Sequence, residues 1–139
     1  HPLGKNPGDV WPLATASYRG PHHAVFPLWL AERPIRAGSP ERRCARCRRP
    51  WKRQTLRTLG HLAVRGELQP TCTCRGGSEP GVVLDLFLGS GTTAIAAERH
   101  GRNWLGIELN PTLARLAEAR IRAARSGRKA GEEQRRRAG

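Results

Sequence analysis

Apolar residues are unevenly distributed, and the clearest order lies between Gly81 and Arg125. Val82-Val83-Leu84-Asp85-Leu86-Phe87 is a short, nearly continuous apolar run, the pattern of a parallel strand buried on both faces. Gly89-Ser90-Gly91-Thr92-Thr93 follows as a tight turn, and Ala94 to His100 predicts a helix closed by Gly101. Trp104-Leu105-Gly106-Ile107-Glu108 reads as a second strand. Asn110 suits the cap of a further helix and Pro111 its first position, after which Leu113, Leu116, Ala117 and Ile121 fall on one face. The region is a βαβα unit whose crossover is expected to be right-handed. Two strands cannot by themselves bury both faces of a parallel sheet, so further strands are expected from a longer parent protein. The start at His1, without Met, fits that expectation.

Upstream the pattern is weaker. Residues 1–35 are rich in Pro, Trp and His, with a helix-like stretch, Leu28 to Arg33, starting just after Pro27. Residues 36–80 are basic and hold all four cysteines, residues 81–125 form the βαβα unit, and residues 126–139 read as a basic disordered tail. At 139 residues the chain is one domain at most, and no apolar run approaches the roughly 20 residues that span a membrane. With no signal-peptide pattern, the expectation is a soluble, cytoplasmic chain without a membrane partner.

The formal charge of +14 exceeds what solubility requires. Residues 33–75 carry twelve Lys and Arg against two Glu, and residues 122–139 carry seven against two, so the remainder is close to neutral. A charge concentrated in this way points to nucleic acid, with the middle segment favoured for phosphate contact and the tail as a solvated extension. The excess of Arg over Lys fits a GC-rich coding sequence as well as phosphate recognition and decides nothing.

A Gly-rich turn between a strand and a helix aims backbone N–H groups into a cleft at the carboxyl end of the sheet, where a nucleotide-containing ligand can approach. Glu108 ends the next strand, 17 residues beyond Gly91, where an acid would meet ribose hydroxyls. Gly89 to Ala94 also matches the dinucleotide fingerprint G-x-G-x-x-A, so spacing does not choose the cofactor. Asp85 favours S-adenosylmethionine, which carries an ammonium and a sulfonium and no phosphate for the acid to repel.

The run Val83 to Thr93 resembles the cofactor-binding motif of DNA amino-methyltransferases, usually Asp-Pro-Phe-x-Gly-Ser-Gly-Thr-Thr, and departs from it at Leu86. Gly106-Ile107-Glu108-Leu109-Asn110-Pro111 resembles the acidic motif that follows. Gly4-Lys5-Asn6-Pro7-Gly8-Asp9-Val10-Trp11, with His22-His23-Ala24-Val25-Phe26-Pro27 and Leu30, is similar to the segment that closes over the methionine end of the cofactor in the circular order where the cofactor loop is C-terminal. The matching stretches cover about residues 3–38 and 81–122. The resemblance implies a partial Rossmann-like α/β methyltransferase fold with a small Cys-rich insert. It implies S-adenosyl-L-methionine as cofactor and DNA as partner, and Phe26, Asp85, Phe87, Gly89, Ser90, Gly91, Thr92, Glu108 and Asn110 as cofactor-binding residues. It assigns no role to His22 or His23. The family's catalytic Asp/Asn/Ser-Pro-Pro-aromatic motif does not occur here. In this circular order it lies upstream, so the expectation is a C-terminal part that needs an N-terminal catalytic half and holds no catalytic residue of its own.

Cys44-Ala-Arg-Cys47 and Cys72-Thr-Cys74 form a C-x-x-C and a C-x-C separated by 24 residues. In a cytosolic chain two thiol pairs suggest one structural Zn2+ before they suggest disulfides, and free thiols or a site already lost are the alternatives. Arg42, Arg43, Arg46, Arg48, Arg49, Lys52 and Arg53 surround the first pair, so a zinc-knotted lobe there would face DNA. Three functions stand at this point. They are DNA amino-methylation as part of a larger enzyme, a catalytically inactive zinc-containing nucleic-acid-binding module with a vestigial cofactor fold, and, disfavoured by Asp85, a fragment of a nicotinamide-dependent oxidoreductase.

Overall fold

The computed structural model describes residues 8–15, 25–57 and 63–137. In chain order it contains α1 (Leu28–Gly38), β1 (Arg42–Cys44), β2 (Lys52–Arg57), β3 (Ala63–Gln69), β4 (Ser78–Pro80), β5 (Val82–Asp85), α2 (Thr92–Arg99), β6 (Asn103–Gly106) and α3 (Pro111–Arg137). Strands and helices are mixed, and the class is α/β. Among the described residues no helix is long and apolar enough to cross a membrane.

β5 and β6 pair in parallel, Val83 opposite Trp104 and Leu84 opposite Leu105, with α2 as the crossover. Alternation along the strands puts Val83 and Trp104 on the face that packs against the helices. Leu84 and Leu105 share the other face and stay 58% and 60% exposed. The apolar run therefore does not mark burial on both faces within this chain, because the described elements cover only one. The regular strands are also shorter than their apolar runs: Phe87 and Glu108 lie in the loops beyond β5 and β6.

Helix α2 is the centre of the core. Ala96 and Ala97 meet Ala31 and Ile35 of α1, while Ala94 and Ile95 meet Ala117 and Ile121 of α3, and Trp104 packs against both clusters. Four small or short side chains in a row let the neighbouring helices approach closely on both sides. This packing also explains two departures from the sequence pattern. Helix α1 does not stop at Arg33 but continues through Pro34 to Gly38. A proline there removes one helical hydrogen bond, yet Ala31 and Ile35 flank it and are buried on α2. Residues 126–139, read as a disordered tail, are helical as far as Arg137. Arg125 donates to the Glu98 carboxylate at 2.9 Å, and Arg128 to the Glu98 carbonyl at 2.8 Å, so α3 keeps contact with α2 past residue 125 in a composition rich in helix formers.

The segment between α1 and β5 folds as two antiparallel strand pairs. β1 pairs with β4, Arg42 opposite Pro80 and Cys44 opposite Ser78, and β2 pairs with β3 in a hairpin whose register shifts between Arg53 and Thr55. β4 leads directly into β5 through Gly81, so this lobe joins the parallel sheet at the amino ends of its strands.

Candidate cofactor cleft and thiolate cluster

The glycine turn lies at the opposite, carboxyl ends of β5 and β6. Ile107 N–H donates to the Asp85 carbonyl at 2.9 Å and Leu88 N–H to the Ile107 carbonyl at 2.8 Å, which continues the strand pairing into the turn. Gly89 and Gly91 take φ values of 52° and 81°, a region that side chains disfavour. At Gly91 the constraint is double, since a Cβ would sit 3.2 Å from the Ala117 Cβ and the Ile121 Cδ1. The turn thus presses directly on α3, and α2 begins at Thr92 with no side-chain cap on its first-turn amides.

Glu108 organises the turn from the second strand. Its Oε2 accepts from Gly89 N–H at 2.8 Å and its Oε1 from Asn110 N–H at 2.9 Å. Asn110 caps α3, its Oδ1 accepting from Thr112 N–H at 2.9 Å. Asp85 ends β5, and its Oδ1 accepts from Phe87 N–H at 3.0 Å. Ser90 and Thr92 are buried, with their hydroxyl oxygens 3.4 Å apart, so what they offer a ligand is backbone rather than side chain. The Ser90 carbonyl in turn accepts from Arg120 Nη1 at 2.5 Å.

A cleft of about 690 Å3 runs along β5 and α1 beside this turn. Phe26, far away in the sequence, lines it together with Asp85 and Phe87, and Thr93, Leu30, Trp11 and residues of β5 and the end of α1 also form its wall. Phe87 is 88% exposed, an aromatic face without a partner in the core. Gly89, Ser90, Gly91, Thr92, Glu108 and Asn110 build the adjoining turn and do not line the cleft itself. Thr93 and Trp11 are additions that the tertiary fold makes. Both carry a signal in the sequence, Thr93 as the end of the glycine motif and Trp11 in the segment that resembles the cofactor-closing one, though neither is among the expected site residues. Residues 4–7 and His22-His23-Ala24 lie outside the described residues.

The four cysteines converge. The Sγ atoms of Cys44, Cys47, Cys72 and Cys74 all lie within 4.8 Å of one another. A Zn2+ ion with ~2.3 Å bonds to four thiolates needs sulfur–sulfur edges of about 3.8 Å, which the cluster reaches with small side-chain adjustments. The backbone is shaped around it. Arg48 and Arg75, each following the second Cys of its pair, have φ of 65° and 49°. Such a conformation costs a non-glycine residue about 1–2 kcal/mol. Arg48 is held there by its N–H donating to the Cys44 carbonyl at 3.0 Å and by its ion pair with Glu79, which also binds Arg43 at 2.7 Å. Backbone N–H groups of Cys47 and Arg46 point at the buried Cys44 sulfur and bring its pKa down to about 6. Hydrogen bonding with the Cys47 and Cys72 thiols pushes Cys74 up to about 12. Four thiols this close cannot all ionise unless a cation shares the site.

A parallel βα unit with a glycine turn and two acids at the carboxyl ends of its strands defines an α/β protein built around a ligand cleft. The family model for DNA methylases, the N6 and N4 amino-methylating kind, matches residues 1–119, and the chain belongs to that family. Type II methyltransferase M.ScaI of Streptomyces caespitosus is 32% identical over 131 residues, covering 88% of this chain and 31% of that protein. Type II methyltransferase M.SmaI of Serratia marcescens is 33% identical over 117 residues, covering 84% and 27%. The chain thus spans about a third, or less, of the length of these relatives. A putative DNA modification methylase of Thermus thermophilus, solved as its S-adenosyl-L-methionine complex, overlaps 71% of this chain and 26% of its own at 32% identity, with a TM-score of 0.40.

Proposed function

We propose that this chain is the S-adenosyl-L-methionine-binding part of a DNA methyltransferase acting on the exocyclic amino group of adenine or cytosine, with a partial Rossmann-like fold. The observation that carries the reading is the cleft in which Phe26, Asp85 and Phe87 meet beside the glycine turn. In this reading Asp85 pairs with the cofactor's ammonium, Phe26 and Phe87 pack on its apolar parts, and the glycine turn gives the backbone room for its approach. Glu108, which holds the turn through Gly89 N–H, is in this reading the acid that meets the ribose hydroxyls, with Asn110 beside it as the cap of α3. When bound, the cofactor supplies an electrophilic methyl group. The acceptor base and the group that orients its amine belong to a part of the enzyme with the Pro-Pro-aromatic motif, which this sequence lacks.

Cys44, Cys47, Cys72 and Cys74 would hold one structural Zn2+ that ties β1 to the Cys72–Cys74 turn, giving a basic lobe that contacts DNA. Titration calorimetry with S-adenosyl-L-methionine and with NAD tests the cofactor reading. Selective binding of the methyl donor, weakened at least about tenfold in Asp85→Ala, is the expected result, since an ion pair of this kind contributes about 1.5–3 kcal/mol. NAD binding, or binding indifferent to Asp85, overturns it. Methylation of DNA by the 139-residue chain alone would refute the division of labour.

A further inference from the structure

A second cleft, of about 860 Å3, lies between α1, the β2–β3 hairpin and the turn before β6. It is lined by Arg33, Arg36, Arg53, Arg65 and Arg102 against a single acid, Glu41. Glu41 is already committed, because Arg53 Nε donates to it at 3.0 Å and Arg65 Nη2 at 3.2 Å. That leaves Arg33, Arg36 and Arg102 without an ion pair to a carboxylate among the described residues.

Arg102 is only 9% exposed. Its Nη1 donates to the His100 carbonyl at 2.5 Å and its Nη2 to the Ser39 carbonyl at 3.1 Å, so neutral acceptors fix the guanidinium while no anion touches it. Its Nε is buried with no hydrogen-bond partner, and so is His100 Nε2 in the same wall. Glu41, which Arg53 and Arg65 already hold, acts on Arg102 only from beyond ion-pair distance, and a groove that keeps a buried cation so thinly compensated suits an anionic ligand. At the rim Arg33 is stacked between Trp11, at 5.0 Å, and Trp29, at 5.4 Å, which holds its planar fork in one orientation. Glu32, 3.8 Å from His100 Nε2 and 3.9 Å from Arg99, is the other acid nearby, and it lies on the His100 side of the cleft.

We infer that this cleft clamps a phosphate of the DNA backbone, with Arg36 and Arg102 as its principal donors and Arg33 and Arg65 at its edges. The inference rests on the reading of the parent enzyme as one that acts on DNA. It adds a contact on a different wall from the methyl-donor cleft: the two clefts meet at Trp11 and Pro34, and the arginines line only the basic one. A backbone clamp of this kind fixes the register of the duplex and carries no sequence information.

The test is fluorescence anisotropy of the full chain with a short labelled duplex between about 50 and about 200 mM salt. Arg36 is exposed on α1, so Arg36→Gln preserves the fold, which circular dichroism checks. Arg36→Gln and Arg36→Gln/Arg65→Gln are expected to weaken binding about fivefold or more and to lower the salt slope by about one per phosphate lost. Arg115→Gln, on the exposed side of α3, serves as a control that stays within about twofold. Unchanged affinity and slope in both cleft variants overturn the clamp while leaving DNA binding intact. Failure of the wild-type chain to bind the duplex overturns the clamp, and the calorimetry with S-adenosyl-L-methionine then shows separately whether the cofactor reading stands. Inorganic phosphate that raises the melting temperature of wild type but not of Arg36→Gln, with DNA affinity equal in both, assigns the cleft to a free anion and also overturns it.

Discussion

Gly81 joins the Cys-rich lobe to the parallel sheet, and replacing it with alanine is expected to damage the chain severely for its size. An ideal Cβ there lies 2.1 Å from the Pro40 carbonyl oxygen and 3.1 Å from Ser39 Oγ. Carbon and oxygen ordinarily approach to about 3.3 Å, so backbone must move by about 1.2 Å. It is held on both sides, since Gly81 C=O accepts from Asn103 N–H at 2.8 Å and Pro80 is paired with Arg42. Overpacking of this kind costs about 1–3 kcal/mol or more, against a gain of about 0.4–1 kcal/mol from the stiffer unfolded chain. A net loss near 2 kcal/mol corresponds to a fall in Tm of roughly 8 °C for a domain of this length. Gly127 provides the matched control: it lies in α3 and a Cβ there meets nothing within 4 Å. Gly127→Ala should raise Tm by roughly 3 °C, from a helix-propensity gain of about 0.8 kcal/mol. Thermal unfolding followed by circular dichroism measures both. If Gly81→Ala melts at or above the wild-type temperature, the junction is not packed as described and the reasoning fails.

Ile121, 3% exposed between Gly91 and Ile95, should cost about 3 kcal/mol on truncation to Ala and about 1 kcal/mol on change to Val, read from urea midpoints; equal small effects would place it outside the core. The Glu98 carboxyl is held below the usual carboxylate range by Arg125 first, and also by the Trp104 indole N–H at 2.9 Å. Its folded pKa is depressed, so its contribution to stability is present above about pH 4.5 and lost as pH falls through the folded value. Wild type should therefore lose more stability than Glu98→Gln over that acid window, and identical acid profiles would contradict the assignment. Metal analysis should find one zinc per chain. Chelation should expose four reactive thiols and unfold the lobe while α2 and α3 keep their helicity, and chelator-resistant, metal-free protein would refute the site.

Local chemistry alone determined the elements from Gly81 onward: the apolar run of β5, the two glycines that only a positive φ explains, the Asn110 cap and the α3 stripe all stand in the structure where their residue types require them. The C-x-x-C and C-x-C pairs likewise signalled that four sulfurs would meet, because two short thiol pairs suit the corners of one tetrahedral site. What depended on distant partners was not legible. Pro34 argues locally for a helix end that packing against α2 overrides, the contacts of Arg125 and Arg128 with Glu98 anchor a stretch whose charge and glycines read as a tail, and burial of the Ser90 and Thr92 hydroxyls follows from α3 closing on the turn. Arg36 beside Arg102 in the basic cleft is a juxtaposition across many residues. Sequence periodicity reports which face of an element is apolar, but only the tertiary fold decides which charges lose their water and their partners together.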